Sequence, residues 1–517
     1  MKISTLIALS SLIMGISICH AKPSTTNLSN QPPLVADSGF AVPALHDCQT
    51  DLRYLNQVFG WQVAWPSQWT YIVSTGASDA ATALTRWGEA PAAIDSAIEM
   101  LRRGIDHHET APRPVVLRVS QQVSDLTAML AQDSSPYLFP SPNNEATRQW
   151  NTMIRESMAP AVRRFEAFLR HEYLPAARTA PGLSGIANGE ACFTQAVTWW
   201  TTLDSSTEDI EATGRRLLEE TRTALIASDS KRTGFNDIME GLRAFQAHNP
   251  TTSKELLALS AAAIKRADNA TLSRFAHKAG SPIEVVEMPA HIQDSFPAGS
   301  YVGAQSNKPA AYRINPSRPQ ERRLMAEVIA VHEAIPGHHL FFTYPRQSAG
   351  SGGNAGIIEG WAIYAEYLAD EMGLFSSTLD RQGMIAKHLW AASRLLVEPG
   401  LHLHHWSRER AIQFMLDNTL LSRTEVEIEV DRYIAMPGQS LSYMLGANLI
   451  MEERERAHAA LGKKFDIAAF HDVILAPGGR PLPVVRADIR RWVSDQLSTS
   501  SNRGSQVSGL IIYRDAE

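Results

Sequence analysis

V-H-E-A-I-P-G-H-H-L-F-F, from Val331 to Phe342, and I-I-E-G-W-A-I-Y-A-E, from Ile357 to Glu366, decide how the rest of this chain is read. Each run interleaves His or Glu with apolar residues, as a helix with a polar seam in an apolar setting would. The stretch S-A-G-S-G-G-N-A-G between them is loose enough to let the second helix fold back on the first.

His332 followed directly by Glu333 is the opening of a zinc-hydrolase helix, in which two histidines on one face hold the metal and the glutamate activates water. The second histidine belongs four residues on, where this chain has Pro336. At about 100° per residue, neither His338 nor His339 suits an unbroken helix. Proline lacks the N–H that would bond the carbonyl of His332, and Gly337 accepts unusual dihedrals, so an interruption at Pro336-Gly337 is expected. A bulge of two residues returns His338 to the ligand position; a bulge of three would bring His339 there. His338 is the expected ligand, with His339 as an outer group or alternative ligand.

A catalytic zinc takes three protein ligands and keeps one position open. Glu359, 21 residues after His338, is the natural third ligand. Glu366, seven residues further on the same helical face, is placed to hydrogen-bond a ligand from behind. A lone His-Glu pair is ordinary surface chemistry. Six such groups within 35 residues, set among apolar positions, favour a metal site, with one zinc per chain expected.

The H-E-A-I-P-G-H-H block with its E-G-W-A-I-Y-A-E partner resembles the bacterial domain-of-unknown-function family numbered 885, whose members look like zincin-type metallopeptidases. The likeness continues in G-L-S-G-I-A-N-G-E-A (Gly182 to Ala191), the paired Thr201 and Thr202, and R-L-L-V-E-P-G-L-H (Arg394 to His402). It runs on through R-Y-I-A-M-P-G-Q-S-L-S-Y-M-L-G (Arg432 to Gly446) and R-P-L-P-V-V-R-A-D-I-R-R-W-V (Arg480 to Val493). The pattern expects Asp where Glu398 stands and an aromatic residue near Cys192. The resemblance implies a large, mostly α, zincin-like fold with a zinc site. His402, Arg432 and Tyr443 lie in its motifs and are candidates to stabilise the oxyanion of amide hydrolysis. For two of them a structural role is equally open: a solvated helix end for the His402, His404, His405 cluster, and pairing with Glu429 or Asp431 for Arg432.

At the amino end, Met1 to Ala21 reads as a secretory signal: Lys2, an apolar run from Ile3 to Ile18, and the cleavage site Cys19-His20-Ala21. Lipid attachment at Cys19 is the less favoured reading, because Ile18 is bulky. A periplasmic or secreted protein is expected, without an integral membrane segment after cleavage. Residues 22–45, rich in Ser, Pro and Asn, form a flexible lead-in. Residues 46–497 make one helical metallohydrolase unit, and 498–517 a disordered tail. A net charge of −6 argues against a nucleic-acid partner. Cys48 and Cys192 are the cysteines left after cleavage; pairing and free buried thiols are both open.

Apolar stripes at helical spacing predict core helices through Ile94, Ile98, Leu101 and Ile105, through Val119, Val123, Leu126 and Leu130, and through Ile210, Leu217, Leu218 and Leu225. Thr252 with Glu255, and Ser422 with Glu425, have capping-box spacing. From Ser281 to Pro316 the helical pattern breaks into β-like runs at Ile283 to Val286 and Tyr312 to Ile314. By analogy with zincins, Ala311 to Asn315 is a candidate ledge for an extended substrate, against the plainer reading of a β-patch capping the helices.

The reading is a zinc hydrolase acting on short peptides. His332, His338 and Glu359 hold the metal, Glu333 is the general base, and the zinc lies in a cleft between helical halves. The alternatives are a zinc hydrolase of a non-peptide amide or ester, and a periplasmic protein that binds metal or peptide without turnover.

Overall fold

Apolar residues spaced every three to four positions draw the chain into helices wherever the sequence lacks Pro/Gly clusters. The computed structural model describes residues 48–507 apart from 49, 76–79, 233, 289–292, 294–297, 305–308 and 347–353. The signal and lead-in expected over 1–21 and 22–45 lie outside the described residues.

The amino-terminal helices are α1 (Trp61–Thr75), α2 (Ala80–Trp87), α3 (Ala90–Asp106), α4 (Arg113–Leu130) and α5 (Ala159–Phe168). Trp61, Trp65 and Trp69 recur every four residues on α1 and so share one face. Their rings meet one another, Trp87 of α2 and Phe165 of α5. The expected stripes on α3 and α4 are buried against this cluster, Ile105 only partly. Cys48 and Cys192 form a disulfide, tying the first described residue to α6 (Gly189–Thr201).

Next come α7 (Thr207–Ala227), which buries the Ile210, Leu217, Leu218 and Leu225 stripe, and α8 (Ser253–Ala270). Thr252 and Glu255 close a reciprocal capping box at the start of α8, and Ser422 and Glu425 do the same further on.

The irregular region yields β1 (Ile283–Glu287), β2 (Gly299–Val302) and β3 (Ala310–Ile314), in the order β1-β3-β2. β3 runs parallel to β1 and antiparallel to β2. This corrects the ledge expected at Ala311 to Asn315: β3 is the middle strand, with both edges already paired, and cannot accept a further strand. Sequence gave no sign of β2, whose four residues are all buried and show no alternation.

Five helices form the centre: α9 (Ala326–Glu333), α10 (His338–Thr343), α11 (Ala355–Glu371), α12 (Thr378–His402) and, beyond α13 (Arg423–Ala435), α14 (Leu441–Leu461). α11 and α12 are buried nearly all round, which is why their sequences lack a polar face. α11 crosses α14 at close range. A β-carbon on Gly446 would lie 2.0 Å from the carbonyl oxygen of Gly356, so only glycine permits the approach. The closing helix α15 (Leu482–Val507) runs on into the stretch expected to be a loose tail. The chain is mostly helical with one small sheet.

Candidate metal centre

α9 stops at Glu333 and α10 starts at His338, so the interruption expected at Pro336-Gly337 is present. Instead of a bulge in one helix, it is a four-residue break containing a cis Ile335-Pro336 peptide. The Gly337 N–H turns back to the carbonyl of Val331. A β-carbon on Gly337 would sit 1.9 Å from the His332 carbonyl oxygen, which accounts for glycine there. The indole N–H of Trp361 on α11 donates to the Pro336 carbonyl at 2.9 Å, pinning the break against the second helix.

Across this break His332 and His338 converge on Glu359, their ligating atoms all within 4.8 Å of one another. Glu359 Oε2 lies 3.4 Å from His332 Nε2 and 3.5 Å from His338 Nε2. Tetrahedral zinc, with bonds of about 2.0–2.2 Å, sets its ligand atoms roughly 3.4 Å apart. All three residues are buried, yet Glu359 Oε2 has no hydrogen-bond partner among the described residues. A buried carboxylate oxygen left so is costly unless a cation completes it. The donor set therefore fits a divalent ion of the zinc type.

Behind His332, its Nδ1 meets Glu366 Oε1 at 2.6 Å. Glu366 also takes Lys387 Nζ on Oε1 and His388 Nε2, at 3.0 Å, on Oε2. Burial alone would raise the Glu366 carboxyl, but the Lys387 charge and the bonds from His332 and His388 hold it below the usual carboxylate range. An ionised Glu366 accepts the Nδ1 proton of His332, fixing the tautomer that turns the Nε2 lone pair toward His338 and Glu359.

In front of His332 lies a cavity of about 330 Å³. One side is built by α9, α12, α13 and α14, and the other by Gln57, Phe59 and the Arg118 to Asp125 face of α4. Its position between the two helical halves matches the expected cleft. Glu333 lines it and makes no hydrogen bond or ion pair with the described residues.

The remaining sequence candidates divide. Tyr443 lines the cavity, its ring stacked on His332 at 6.2 Å between centroids. Arg432 lines it too, paired to Glu429 through Nε at 3.1 Å and Nη2 at 2.7 Å, not to Asp431. His402 is not at the site. It is fully buried, stacked on Phe193, and bonded to backbone at both nitrogens, accepting from Leu183 N–H at 3.2 Å and meeting the Tyr433 carbonyl at 3.1 Å. Burial pulls its imidazole down to about 3, so it is a neutral packing group and not an oxyanion donor. His339 is likewise engaged elsewhere: Nε2 faces the Ser281 carbonyl at 2.7 Å, and Nδ1 the Tyr301 hydroxyl at 3.2 Å. With both nitrogens used, it is not the ligand in this arrangement.

Lys387 and His388, which anchor Glu366, and Arg394 and Glu429, which line the cavity wall, were missed as site residues. All four come from α12 or α13. Nothing local marks a Lys-His pair inside a helix as buried, so only the three-dimensional packing reveals them.

A family model described as "Bacterial protein of unknown function (DUF885)" matches residues 41–489. No curated protein matches. Among solved structures, a protein of Colwellia psychrerythraea described as a "putative lipoprotein" is similar with a TM-score of 0.76 and 24% identity, over 85% of this chain and 80% of that one. A second, described as a "putative lipoprotein of unknown function" from Shewanella oneidensis, has a TM-score of 0.64 and 17% identity, over 85% of this chain and 83% of that one. At such identities the likeness concerns the fold alone.

Proposed function

The chain belongs to the bacterial family of unknown function DUF885, and we propose that it is a zinc-dependent hydrolase of short peptides. The observation that carries this reading is the convergence of His332, His338 and a Glu359 oxygen that, among the described residues, has no hydrogen-bond partner, beside the Glu333 carboxylate that lines the cavity.

His332, His338 and Glu359 would hold the ion, which when bound supplies Lewis acidity toward a carbonyl oxygen and toward water. Glu333, one residue after a ligand and facing the cavity, takes the proton from the attacking water and returns it to the leaving amine. That it has no hydrogen bond or ion pair among the described residues suits a group that must accept and release a proton, and favours turnover over a closed binding site. Tyr443, in the same wall, is placed to donate its hydroxyl proton to the developing oxyanion. Glu366, anchored by Lys387 and His388, keeps His332 in its ligating tautomer. The cavity volume lies at the small end of ligand pockets, which suits a short peptide and excludes a folded protein.

The Cys48–Cys192 disulfide suits an oxidising compartment, and among the described residues no helix is long and apolar enough to cross a membrane. With the two similar solved structures each described as a "putative lipoprotein", we place the protein outside the cytoplasm. Lipid at Cys19 or cleavage after Ala21 would be told apart by the mass of the mature chain.

The deciding experiment measures metal content and hydrolysis of a short-peptide pool, with products followed by mass. Wild type should hold about one zinc per chain and cleave peptides. Glu333→Gln should keep the zinc and lose about a hundredfold or more in turnover. Full metal occupancy in both His332→Ala and Glu359→Ala, or near-native turnover in Glu333→Gln, would overturn the assignment.

A further inference from the structure

One wall of the cavity carries more positive charge than its own carboxylate neutralises. Glu429 accepts from Arg432 Nε at 3.1 Å, Arg432 Nη2 at 2.7 Å and Arg394 Nη2 at 3.1 Å. Two guanidinium groups thus share one carboxylate. The other partners are neutral: Gln439 takes Arg432 Nη1, and the Tyr433 hydroxyl takes Arg394 Nε at 3.0 Å. No second carboxylate pairs with either arginine among the described residues. Guanidinium does not lose its proton in proteins, so both positive charges persist at every working pH.

Such a charge is expensive to bury unless something completes it. Arg394 is buried, with its Cζ 4.4 Å from the Trp390 ring and 4.5 Å from the Tyr443 ring. Both rings line the cavity, as do Arg394 and Arg432 themselves. The same Tyr443 ring stacks on His332, so the positive wall and the ligand set meet at one side chain. An extended peptide advances about 3.3–3.6 Å per residue, so a short peptide reaches from one to the other.

We propose that Arg394 and Arg432 bind the free C-terminal carboxylate of a short peptide, setting its last or next-to-last amide bond against His332 and Glu333. The proposal rests on the hydrolase reading and sharpens it to cleavage from the carboxyl end. The ligand carboxylate completes the charge that Glu429 leaves over, and Trp390 and Tyr443 flank the guanidinium that receives it.

The test is binding, so that it does not depend on catalysis. N-acetyl-alanyl-alanine and its C-terminal amide are titrated calorimetrically into the full chain, before and after chelation, to separate binding at the arginines from carboxylate bound to metal. The acid should bind the chelated protein about ten- to a hundredfold more tightly than the amide, the range for a hydrogen bond to a charged group. Arg394→Met, checked for folding by circular dichroism, should bind the two alike; if it does not fold, the wild-type comparison decides alone. Equal affinity for acid and amide, or no binding of either, would overturn the proposal and make the arginine pair scaffolding. A preference for the acid without hydrolysis in the zinc-replete protein would sink the hydrolase and leave the carboxylate site standing. Hydrolysis that ignores the carboxylate would do the reverse.

Discussion

The helices around Trp61, Trp65 and Trp69 and the helix running from Thr378 to His402 are both fully packed, but with opposite contents. The first interior is aromatic and aliphatic, and the indole N–H groups of Trp65 and Trp69 have no hydrogen-bond partner among the described residues. The second buries Lys387, His388, Arg394, Glu398 and His402 along a single helix. Interring charge destabilises unless each group is paired, so a helix that buries the cations Lys387 and Arg394 has been shaped by something other than stability. The aromatic layer supplies the rigidity and one wall of the cavity; the charged helix supplies the positions that chemistry needs. Damage to the first region should lower stability and leave the site alone, whereas damage to the second should change the site or the pH dependence of stability.

The largest effect should come from Trp69→Ala. Removing a fully buried indole costs about 3–5 kcal/mol, read as a lower denaturation midpoint, while the metal affinity of the folded fraction should equal that of wild type. Loss of metal affinity in that fraction would show that the two regions are coupled.

Glu398 gives the next effect, and it has a pH signature. Burial pushes its carboxyl up to about 7, against the hydrogen bonds from the Gly438 and Ser440 N–H groups. A carboxyl raised in the folded state holds its proton more tightly there than when unfolded. Its contribution is therefore complete below the unfolded value near 4.3 and is lost as pH rises through about 7. Stability should decline across that window by up to about 1.4 kcal/mol per pH unit, and Glu398→Gln should flatten the decline. A wild-type curve already flat there would mean that Glu398 is ionised and assigned to the wrong side of the comparison.

Glu366→Gln acts on the site in a subtler way. The amide oxygen still accepts from His332, but Lys387 loses its counter-charge, and outer partners of this kind are worth about 10- to 100-fold in metal affinity. Zinc competition against a chelator should show that weakening, and the thermal midpoint of the metal-free protein should fall as well, because Lys387 is left buried without its counter-charge.

The split also explains what could be read from sequence. The grouping of His332, His338 and Glu359, with Glu333 lining the cavity beside them, was legible because a metal site would impose residue type and spacing within one short segment, and Pro336-Gly337 signalled the break. The stripes on α3, α4 and α7 were legible for the same local reason, helical periodicity. The Trp61, Trp65, Trp69 series was equally readable, since its spacing of four is a helical face. What could not be read depends on packing between distant segments: β2, which is buried throughout and has no alternation; Lys387 and His388 reaching Glu366 from another helix; and the α4 face that closes the cavity. His402 shows the converse error. Its place in a family motif suggested chemistry, but its neighbours are Leu183, Tyr433 and Phe193, and its role is to lock α12 to the segment that begins at Gly182.

The smallest effect is the most discriminating, because it lies on a helix that belongs to both regions. Ser422 caps α13, its Oγ accepting from Glu425 N–H and donating to Glu321 Oε2 at 2.8 Å. Two turns further along, the same helix presents Glu429 and Arg432 to the cavity. Removing a serine cap costs typically about 1 kcal/mol, and its influence on the helix fades beyond the first turn. Glu429 and Arg432 are held by Arg394 and Gln439, which do not touch the cap. Ser422→Ala should therefore lower stability by about that amount and leave the acid-over-amide preference of the N-acetyl dipeptide unchanged. If the cap variant lost that preference, the arginine wall would depend on helix rigidity and not on its own hydrogen bonds, and the boundary between scaffold and site would have to be drawn inside α13.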